Sequence, residues 1–423
     1  MCGDKQLTVF HFDAWLFLSC FPRCGVLVSS FVSVTGQYQE VYLLFISASS
    51  TRSFSVDSRD RETMSDSEEE EQECKVVVCD NGTGFVKCGY GRENFPRHVF
   101  QSMLGRPMLR AEDAEVDSKV KLKEIMIGDE AAAARQYLEI RYPVENGKIK
   151  NWADMELLWK HTFHDVMGIC DGTDFDCNAY KVLLTEAPLN PEKNQIKMLE
   201  VMFETFNFEA MQVQTQAMLT LYAQGLMTGV VLDAGDGVSH AVGVFEGFVP
   251  KHLTRRLDVA GRVITRYLCD LLRRRGYSLN STADLETVRE IKEEMCFVAY
   301  DIEKARQFSR ETTVLLKEYK LPDGSIIKLG GERFEAAEAM FNPQLVDVVA
   351  PGVAHMLHDL VESSDIDMHL PLYEHIVLSG GSTMYPGFST RLEKDLTQLY
   401  LTNVLGGSKR GLRVRTMCVW LAF

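Results

Sequence analysis

An apolar, β-branched run that ends in Asp-x-Gly-x-Gly and resumes as a second apolar run occurs twice in this chain. No other feature constrains the fold as much. Lys75-Val-Val-Val-Cys-Asp-Asn-Gly-Thr-Gly84 leads into the run from Phe85 to Tyr90, and Gly229-Val-Val-Leu-Asp-Ala-Gly-Asp-Gly237 leads into Val238 to Phe245. Run, Gly-rich turn and run predict a β-hairpin. Glycines in the turn permit φ > 0 and a close approach of ligand to backbone. Successive N–H groups in such a turn form an anion-binding concavity. The Asp at each strand end offers a carboxylate to Mg²⁺ or its waters. Two such hairpins facing each other would clamp a metal-bound polyphosphate, and their recurrence predicts two related halves with a cleft between them.

The rest of the chain fits an α/β protein around that cleft. At 423 residues it calls for two domains or more. A net charge of −15 argues against a nucleic-acid-binding face, which needs clustered basic residues. The 11 cysteines include no CxxC pair, which predicts reduced, buried thiols in the cytosol. Asn81-Gly-Thr and Asn280-Ser-Thr match the glycosylation pattern by chance in a chain without secretory signals. The apolar patches of residues 7–34 are broken by Asp13 and Arg23, so no membrane span and no signal peptide is predicted. Residues 51–73, with Glu68 to Glu71 in a row, read as a solvated, disordered segment. Met64-Ser-Asp-Ser-Glu reads as a start, so residues 1–63 are expected to lie outside the working fold.

Between the hairpins, residues 103–138 read as a small insertion with a strand-like Glu124-Ile-Met-Ile127 and an Ala-rich piece at 131–134. Trp152, Met155, Leu158 and Trp159 fall at helical spacing. Leu183-Leu-Thr-Glu186 predicts a short buried strand. Asn190-Pro191 predicts a helix start with Asn as cap and Pro first, Ile196, Leu199, Met202, Phe203 and Phe206 lining one face. A helix over Gln216 to Gln224 should stop at Gly225. Further on, Leu268 to Arg275 and Leu285 to Val298 read as helices, with Leu285, Val288, Ile291 and Met295 on one face. Val314 to Tyr319 and Ser325 to Leu329 flank the turn Leu321-Pro-Asp-Gly324, and His375 to Ser379 is a buried strand running into Gly380-Gly381. From Gly406 onward no element is predicted. The alternation of strands and helices is that of an α/β fold.

Within the predicted cleft, Asp80 and Asp233 would hold the hydration shell of the metal. The amides of Gly82, Thr83, Gly84, Gly235, Asp236 and Gly237 would hold phosphate oxygens, and Lys87 would aim back at them from the returning strand. An aspartic protease also uses two apolar-run-Asp-x-Gly loops, whose carboxylates share a proton. Those loops need a Ser or Thr after each Asp, where this chain has Asn81 and Ala234, and Ala234 donates no side-chain hydrogen bond. The intervening helices also do not suit an all-β protease. There is no Gly-x₄-Gly-Lys-Ser/Thr loop and no GxGxxG after a strand.

With these hairpins, Leu378-Ser-Gly-Gly-Ser-Thr-Met-Tyr-Pro-Gly387, Leu184-Thr-Glu-Ala-Pro-Leu-Asn-Pro191, Met202-Phe-Glu-Thr-Phe206 and Leu221-Tyr-Ala223, the chain resembles the actin superfamily over residues 75 to 405. The resemblance implies an actin-like ATPase fold: two duplicated lobes, each of two subdomains, with ATP and Mg²⁺ in a central cleft. By position it implies an N-terminal extension over 1–74, subdomain 1 over 75–102 and 139–223, and subdomain 2 over 103–138. Subdomain 3 would span 224–259 and 350–405, subdomain 4 would span 260–349, and 406–423 would be a divergent tail.

The resemblance also implies roles. Asp80, Gln216 and Asp233 would surround the Mg²⁺ hydration shell, Gln216 and His240 would position the attacking water, and Thr83 would sense the γ-phosphate. Lys292 and Glu293 would meet adenine and ribose, while Gly380, Gly381 and Tyr385 would wall the adenosine pocket. Three departures stand out. Ala234 replaces a Ser that contacts the phosphates, Val263 replaces an Asp, and the family's chain continues past residue 405 with the closing part of subdomain 1. On that account, the chain would bind ATP poorly and be unstable outside a complex.

Leu104-Gly-Arg-Pro-Met-Leu-Arg110, Thr265-Arg-Tyr267, Arg275-Gly-Tyr277, Gly330-Gly-Glu-Arg-Phe-Glu335 and Gln398-Leu-Tyr-Leu401 narrow the resemblance to one branch. Its members are ATP-binding subunits of a seven-subunit complex that nucleates branched actin filaments. The partners implied are the other subunits, actin and nucleation-promoting factors, with no nucleic acid and no membrane span. The place implied is the cytoplasmic, cortical actin cytoskeleton and cell projections, and the activity at most a slow ATPase. Two alternatives within the superfamily are a filament-forming conventional actin and a chromatin-associated relative. Conventional actin carries His where this chain has Asn146, in Tyr142-Pro-Val-Glu-Asn-Gly147. A sugar kinase would need a catalytic carboxylate facing its substrate, and a chaperone ATPase a peptide-binding domain; neither is found.

Overall fold

The computed structural model describes residues 31–34, 39–42, 75–107, 123–170, 177–279, 282–321, 324–404 and 416–418. Its frame is two five-stranded mixed sheets. The first contains β1 (Lys75–Asn81), β2 (Phe85–Tyr90), β3 (His98–Gln101), β4 (Tyr180–Glu186) and β5 (Ala210–Thr215), in the order β5-β4-β1-β2-β3. The second contains β6 (Gly229–Ala234), β7 (Ser239–Val244), β8 (Thr254–Leu257), β9 (Ile376–Ser379) and β10 (Thr416–Cys418), in the order β8-β7-β6-β9-β10.

The two sheets have one topology. β1 pairs antiparallel with β2 and parallel with β4, as β6 does with β7 and β9. β5 and β10 extend the parallel sides, and β3 and β8 the antiparallel sides. β1 and β6 therefore have a neighbour on each edge. Val230, Val231 and Leu232 are fully buried, so β6 is covered on both faces and its run is apolar throughout; in β1 Val77 and Cys79 are fully buried on one face and Val76 and Val78 half-buried on the other.

β10 corrects the expectation that nothing regular follows Gly406. It lies parallel to β9, with Thr416 opposite Ile376, and supplies the counterpart of β5. A three-residue strand has too little sequence of its own to announce itself; the edge of β9 defines it.

Helices cover the sheets. Labelled helices, in chain order, are α1 (Trp152–Lys160), α2 (Glu192–Glu200), α3 (Gln216–Ala223), α4 (Gly261–Arg274), α5 (Thr282–Met295), α6 (Val353–Glu362) and α7 (Phe388–Asn403). On the first sheet the core is aromatic: Trp159, Phe163, Phe206 and Phe208 are fully buried, and Phe163 meets Phe206 and Phe208 edge-on at 5.3 and 5.2 Å. The second core joins β6 to α4, α5, α6 and α7 through residues such as Leu268, Ile291, Leu360 and Leu392. α3 follows β5 of the first sheet but packs Ala217 and Leu221 against Val231, Val242 and Val377 of the second, so it links the two lobes.

The expected insertion forms a small sheet of Leu104–Pro107, Met126–Ile127 and Leu138–Arg141 over its own core of Met103, Met126, Ala131, Ala134 and Leu138. The predicted late hairpin pairs Lys317–Lys320 with Ile326–Leu329; residues 322–323 of its turn lie outside the described residues. Within residues 1–74, expected to form an N-terminal extension, Phe31–Val34 pairs with Gln39–Tyr42. The predicted disorder over 51–73, Met64 and Asn280 lie outside the described residues. Among the described residues, no helix is long and apolar enough to cross a membrane.

Three expectations about local structure are corrected. α2 begins at Glu192 with Pro191 as its cap, and the Asn190 amide turns away to donate to Glu186 Oε2 at 3.0 Å. Beyond Glu200 the helix widens into a π-turn over Val201–Thr205, which rotates the buried face. Met198, Val201, Met202 and Phe206 are buried, whereas Ile196 is 49% exposed. The cysteines are not all thiols: Cys170 and Cys177 form a disulfide across Cα atoms 4.5 Å apart. Their spacing of seven is wider than a CxxC search inspects, and the chain's return into β4 brings them together. Cys79, Cys88, Cys269 and Cys296 are buried free thiols, and burial pushes those of Cys88 and Cys296 up to about 12.

Candidate functional site

The turns that join β1 to β2 and β6 to β7 face each other and pack reciprocally. A Cβ on Gly84 would fall 2.9 Å from Asp236 Cβ, and one on Gly237 would fall 2.8 Å from Thr83 Oγ1. The second glycine of each motif thus seats the middle residue of the other. None of Gly82, Gly84, Gly235 and Gly237 has a positive φ, so the expected turn conformation is not why glycine is needed there. Space is the reason at three of them: at Gly82 a Cβ would meet Phe85 O at 2.6 Å. At Gly235 the nearest atom would be 3.9 Å away, leaving that position open toward the cavity.

The N–H groups of Gly82, Thr83, Gly84, Asp236 and Gly237 find no acceptor among the described residues. Gly235 differs from the expectation: its N–H donates to Val238 O at 3.1 Å and closes the turn. The donors of the second turn are aimed from behind. Gly235 O accepts from Gly261 N at 3.0 Å and Ser382 Oγ at 2.8 Å, and Asp236 O accepts from Arg262 N at 2.8 Å. In a trans peptide the C=O and N–H point oppositely, so each anchor fixes the direction of the next N–H.

Two carboxylates stand at the strand ends beneath these turns. Asp80 Oδ1 accepts from Gln216 Nε2 at 2.7 Å and from the Thr185 hydroxyl, and Lys87 Nζ is 4.0 Å from Oδ2. Burial first and then the negative charge of Asp80 push the Asp233 carboxyl up to about 6, Lys87 opposing. Asp233 pairs in register with His240 on β7. His240 is buried, its Nε2 has no hydrogen-bond partner, and burial followed by Arg256 lowers it to about 4, so it is neutral near pH 7.

The opposite wall comes from the second lobe. Lys292 on α5 is buried and donates to Gly261 O at 3.2 Å, and burial lowers its ammonium. Glu293 accepts from Arg289 at 3.2 Å. Gly380, at φ +87, lies under Ala234 and Asp233, while Gly381 opens on free space. The Tyr385 hydroxyl is buried without a partner, and burial raises its pKa well above the ordinary phenol. All the residues singled out from the sequence, from Asp80 to Tyr385, line a single cavity of about 580 Å³.

Sequence reading missed several residues of this site. Thr185, which fixes Asp80, ends a strand whose neighbour is β1, a pairing no local pattern reveals. Glu186 lines the cavity and is held by Gln195 and Asn190 amides, burial raising its carboxyl. Glu286 on α5, the helix of Lys292 and Glu293, ties that helix to β3 and to the small insertion, accepting from Gln101 Nε2 at 3.2 Å and Arg135 Nη1 at 2.9 Å as well as from Arg289.

These features fit a metal polyphosphate with an aromatic base. Paired turns present unpaired N–H groups to an anion, and the orphaned polar atoms of His240 and Tyr385 want partners. No group of three or more His, Cys, Asp or Glu able to hold a metal occurs among the described residues. Two carboxylates, with the other positions left to water and ligand oxygens, would suit Mg²⁺.

Comparison with known proteins gives a consistent picture. The Actin family matches residues 71–420, which extends beyond the 75–405 expected and takes in the tail that carries β10. The chain is 54% identical over 338 residues to actin-related protein 2 of Arabidopsis thaliana, covering 80% of this chain and 85% of that one. It is 54% identical over 333 residues to actin-related protein 2 of Drosophila melanogaster, covering 78% and 82%. Against actin-related protein 2 of Acanthamoeba castellanii it is 54% identical over 335 residues, covering 79% and 84%.

Proposed function

The chain belongs to the actin family, and from that premise we propose that it is an ATP-binding, actin-related subunit of the complex that nucleates branched actin filaments. Its cleft would close on Mg-ATP, and the closed subunit would present an actin-like end to incoming actin. The reciprocal seating of Gly84 on Asp236 and of Gly237 on Thr83 carries this reading, since it would let two lobes share one anion site. Identity of 54% to proteins named actin-related protein 2 supports the choice of branch. The division into four subdomains, the partners and a cortical, cytoplasmic place belong to the same proposal.

The residues would divide the work as follows. Asp80 and Asp233 hold the waters of Mg²⁺, which supplies charge neutralisation for the phosphates. N–H groups of Gly82, Thr83, Gly84, Asp236 and Gly237 bind phosphate oxygens, with Lys87 beside them. Lys292, Glu293, Gly380, Gly381 and Tyr385 take the nucleoside. Gln216 spends its amide N–H on Asp80 and keeps its carbonyl oxygen to orient a water. Burial keeps His240 a weak base, which fits at most slow hydrolysis and a nucleotide that would act mainly as a structural ligand. An aspartic protease is not supported, because Asp80 is tied to Gln216, Thr185 and Lys87 rather than left to share a proton with Asp233.

The bonds of Glu286 to Gln101 and Arg135, between α5 and the first lobe, give a first prediction. Glu286→Ala removes the acceptor of Gln101 and Arg135 and should speed release of bound nucleotide roughly fivefold, about 1 kcal/mol for a partly exposed pair. Stopped-flow dissociation of a fluorescent ATP analogue measures it. The assembly is tested by affinity purification of the tagged protein from its own cells. Recovery of the branched-nucleation subunits in fixed ratio is expected. Self-polymerisation, or recovery of chromatin-remodelling subunits, would favour the other actin-family readings.

A further inference from the structure

One side chain touches both phosphate turns, and it is none of those singled out for ligand contact. Arg262 lies in the first turn of α4, whose start is already stitched to the second phosphate turn by Gly261 N to Gly235 O and Arg262 N to Asp236 O. Its guanidinium donates to Asp236 Oδ2 from Nε at 3.1 Å and Nη2 at 2.9 Å, and Nη2 reaches Thr83 O, in the other lobe, at 3.4 Å. The Tyr142 ring lies 4.2 Å from Cζ and holds the plane of the fork. Tyr142 opens a segment whose Gly147, on the cavity wall, donates its N–H to Thr83 Oγ1 at 3.2 Å, so both oxygens of Thr83 are held by the protein.

We propose that Arg262 is a positioning residue that makes the cleft prefer a nucleoside triphosphate to a diphosphate; this rests on the nucleotide reading above. Two physical effects combine. The Thr83 carbonyl and the Gly84 N–H belong to one trans peptide, so the bond from Nη2 to Thr83 O fixes where the Gly84 N–H points. That N–H has no acceptor in the protein among the described residues. The Asp236 carboxylate, for its part, sits in an anion-binding turn lining the cavity, where an unpaired negative charge would repel phosphate. Arg262 neutralises it with two N–H groups of a planar fork, which a lysine cannot reproduce. Both effects grow with the added charge of a third phosphoryl group, so losing them weakens ATP binding more than ADP binding.

The test compares dissociation constants of Mg-ATP and Mg-ADP for the full chain, Arg262→Gln, Arg262→Lys and Tyr142→Leu by equilibrium titration. In R262Q the preference for ATP should fall about tenfold, the size of a lost charge-assisted hydrogen bond. R262K should recover part of it through charge alone. Tyr142→Leu, which keeps the charge and frees the fork, should lose preference about threefold and serves if R262Q does not fold. A ratio unchanged within twofold in R262Q or, failing that, in Y142L overturns this inference alone. Wild-type protein that binds neither nucleotide would overturn the nucleotide reading with it.

Discussion

Asparagine in place of Asp233 is expected to remove magnesium-dependent nucleotide binding and, in the same protein, to raise thermal stability. Asp233 is half-buried on β6 where it lines the cavity, beside the charge of Asp80, and burial first pushes its carboxyl up from 3.8 to about 6. Because the folded state holds this proton more tightly than the unfolded one, the contribution is most favourable below about pH 4. It is lost as pH rises through about 6, and at pH 7 the ionised group opposes folding. A shift of this size, discounted because the carboxylate opens on the cavity, corresponds to about 2 kcal/mol. Asp233→Asn should therefore melt a few degrees higher at pH 7 without metal, and the gain should vanish near pH 4. Its Mg-ATP affinity should fall roughly 100-fold, since a neutral amide cannot replace a carboxylate at a hard cation. Calorimetric melts at both pH values and titration with Mg-ATP check the two halves. A variant that lost stability together with binding would make Asp233 structural.

Valine at Gly84 is expected to hold the cleft open. Its Cβ alone would stand 2.9 Å from Asp236 Cβ, and the obstacle belongs to the opposing hairpin, so the lobes must part. Each lobe keeps its own core, so helix and sheet content should survive. Nucleotide affinity should fall by about 100-fold or more, because binding must then be made by one turn instead of two. Scattering should show a larger radius of gyration. Gly235→Ala provides the contrast: it is the first glycine of the other motif, a Cβ there meets nothing closer than 3.9 Å, and the radius should not change. If G84V stayed compact and bound Mg-ATP normally, the reciprocal seating would have no functional weight.

How much of this could be read in the chain follows from how local each signal is. The hairpins were legible because strand, Asp, glycines and returning strand are consecutive, and their recurrence announced the duplication. The reason for the glycines was not. A turn pattern suggests φ > 0, whereas the structure uses bare Cα atoms to let distant turns touch, which is visible only when both are in place. Thr185 and Arg262 were missed for the same cause: each acts on a residue more than a hundred positions away. The signal for Thr185 was present in outline, a polar residue ending a buried apolar strand. The roles expected of Lys292, Glu293 and Tyr385 came from resemblance alone, since a Lys-Glu pair on a helix otherwise reads as a solvated face. The π-turn at Val201 displaced the predicted apolar face of α2 because a fixed 3.6-residue period cannot anticipate a change of helical pitch.

The claim on which the rest depends is that two glycine turns from separate lobes bind one magnesium nucleotide together. Amide hydrogen exchange of the whole protein, with and without Mg-ATP, measures this at the groups concerned. Residues 82–84 and 236–237 should gain protection at the same ligand concentration, and chelating the metal should release both. Protection confined to one turn, or absent from both while the protein is saturated, would contradict the account.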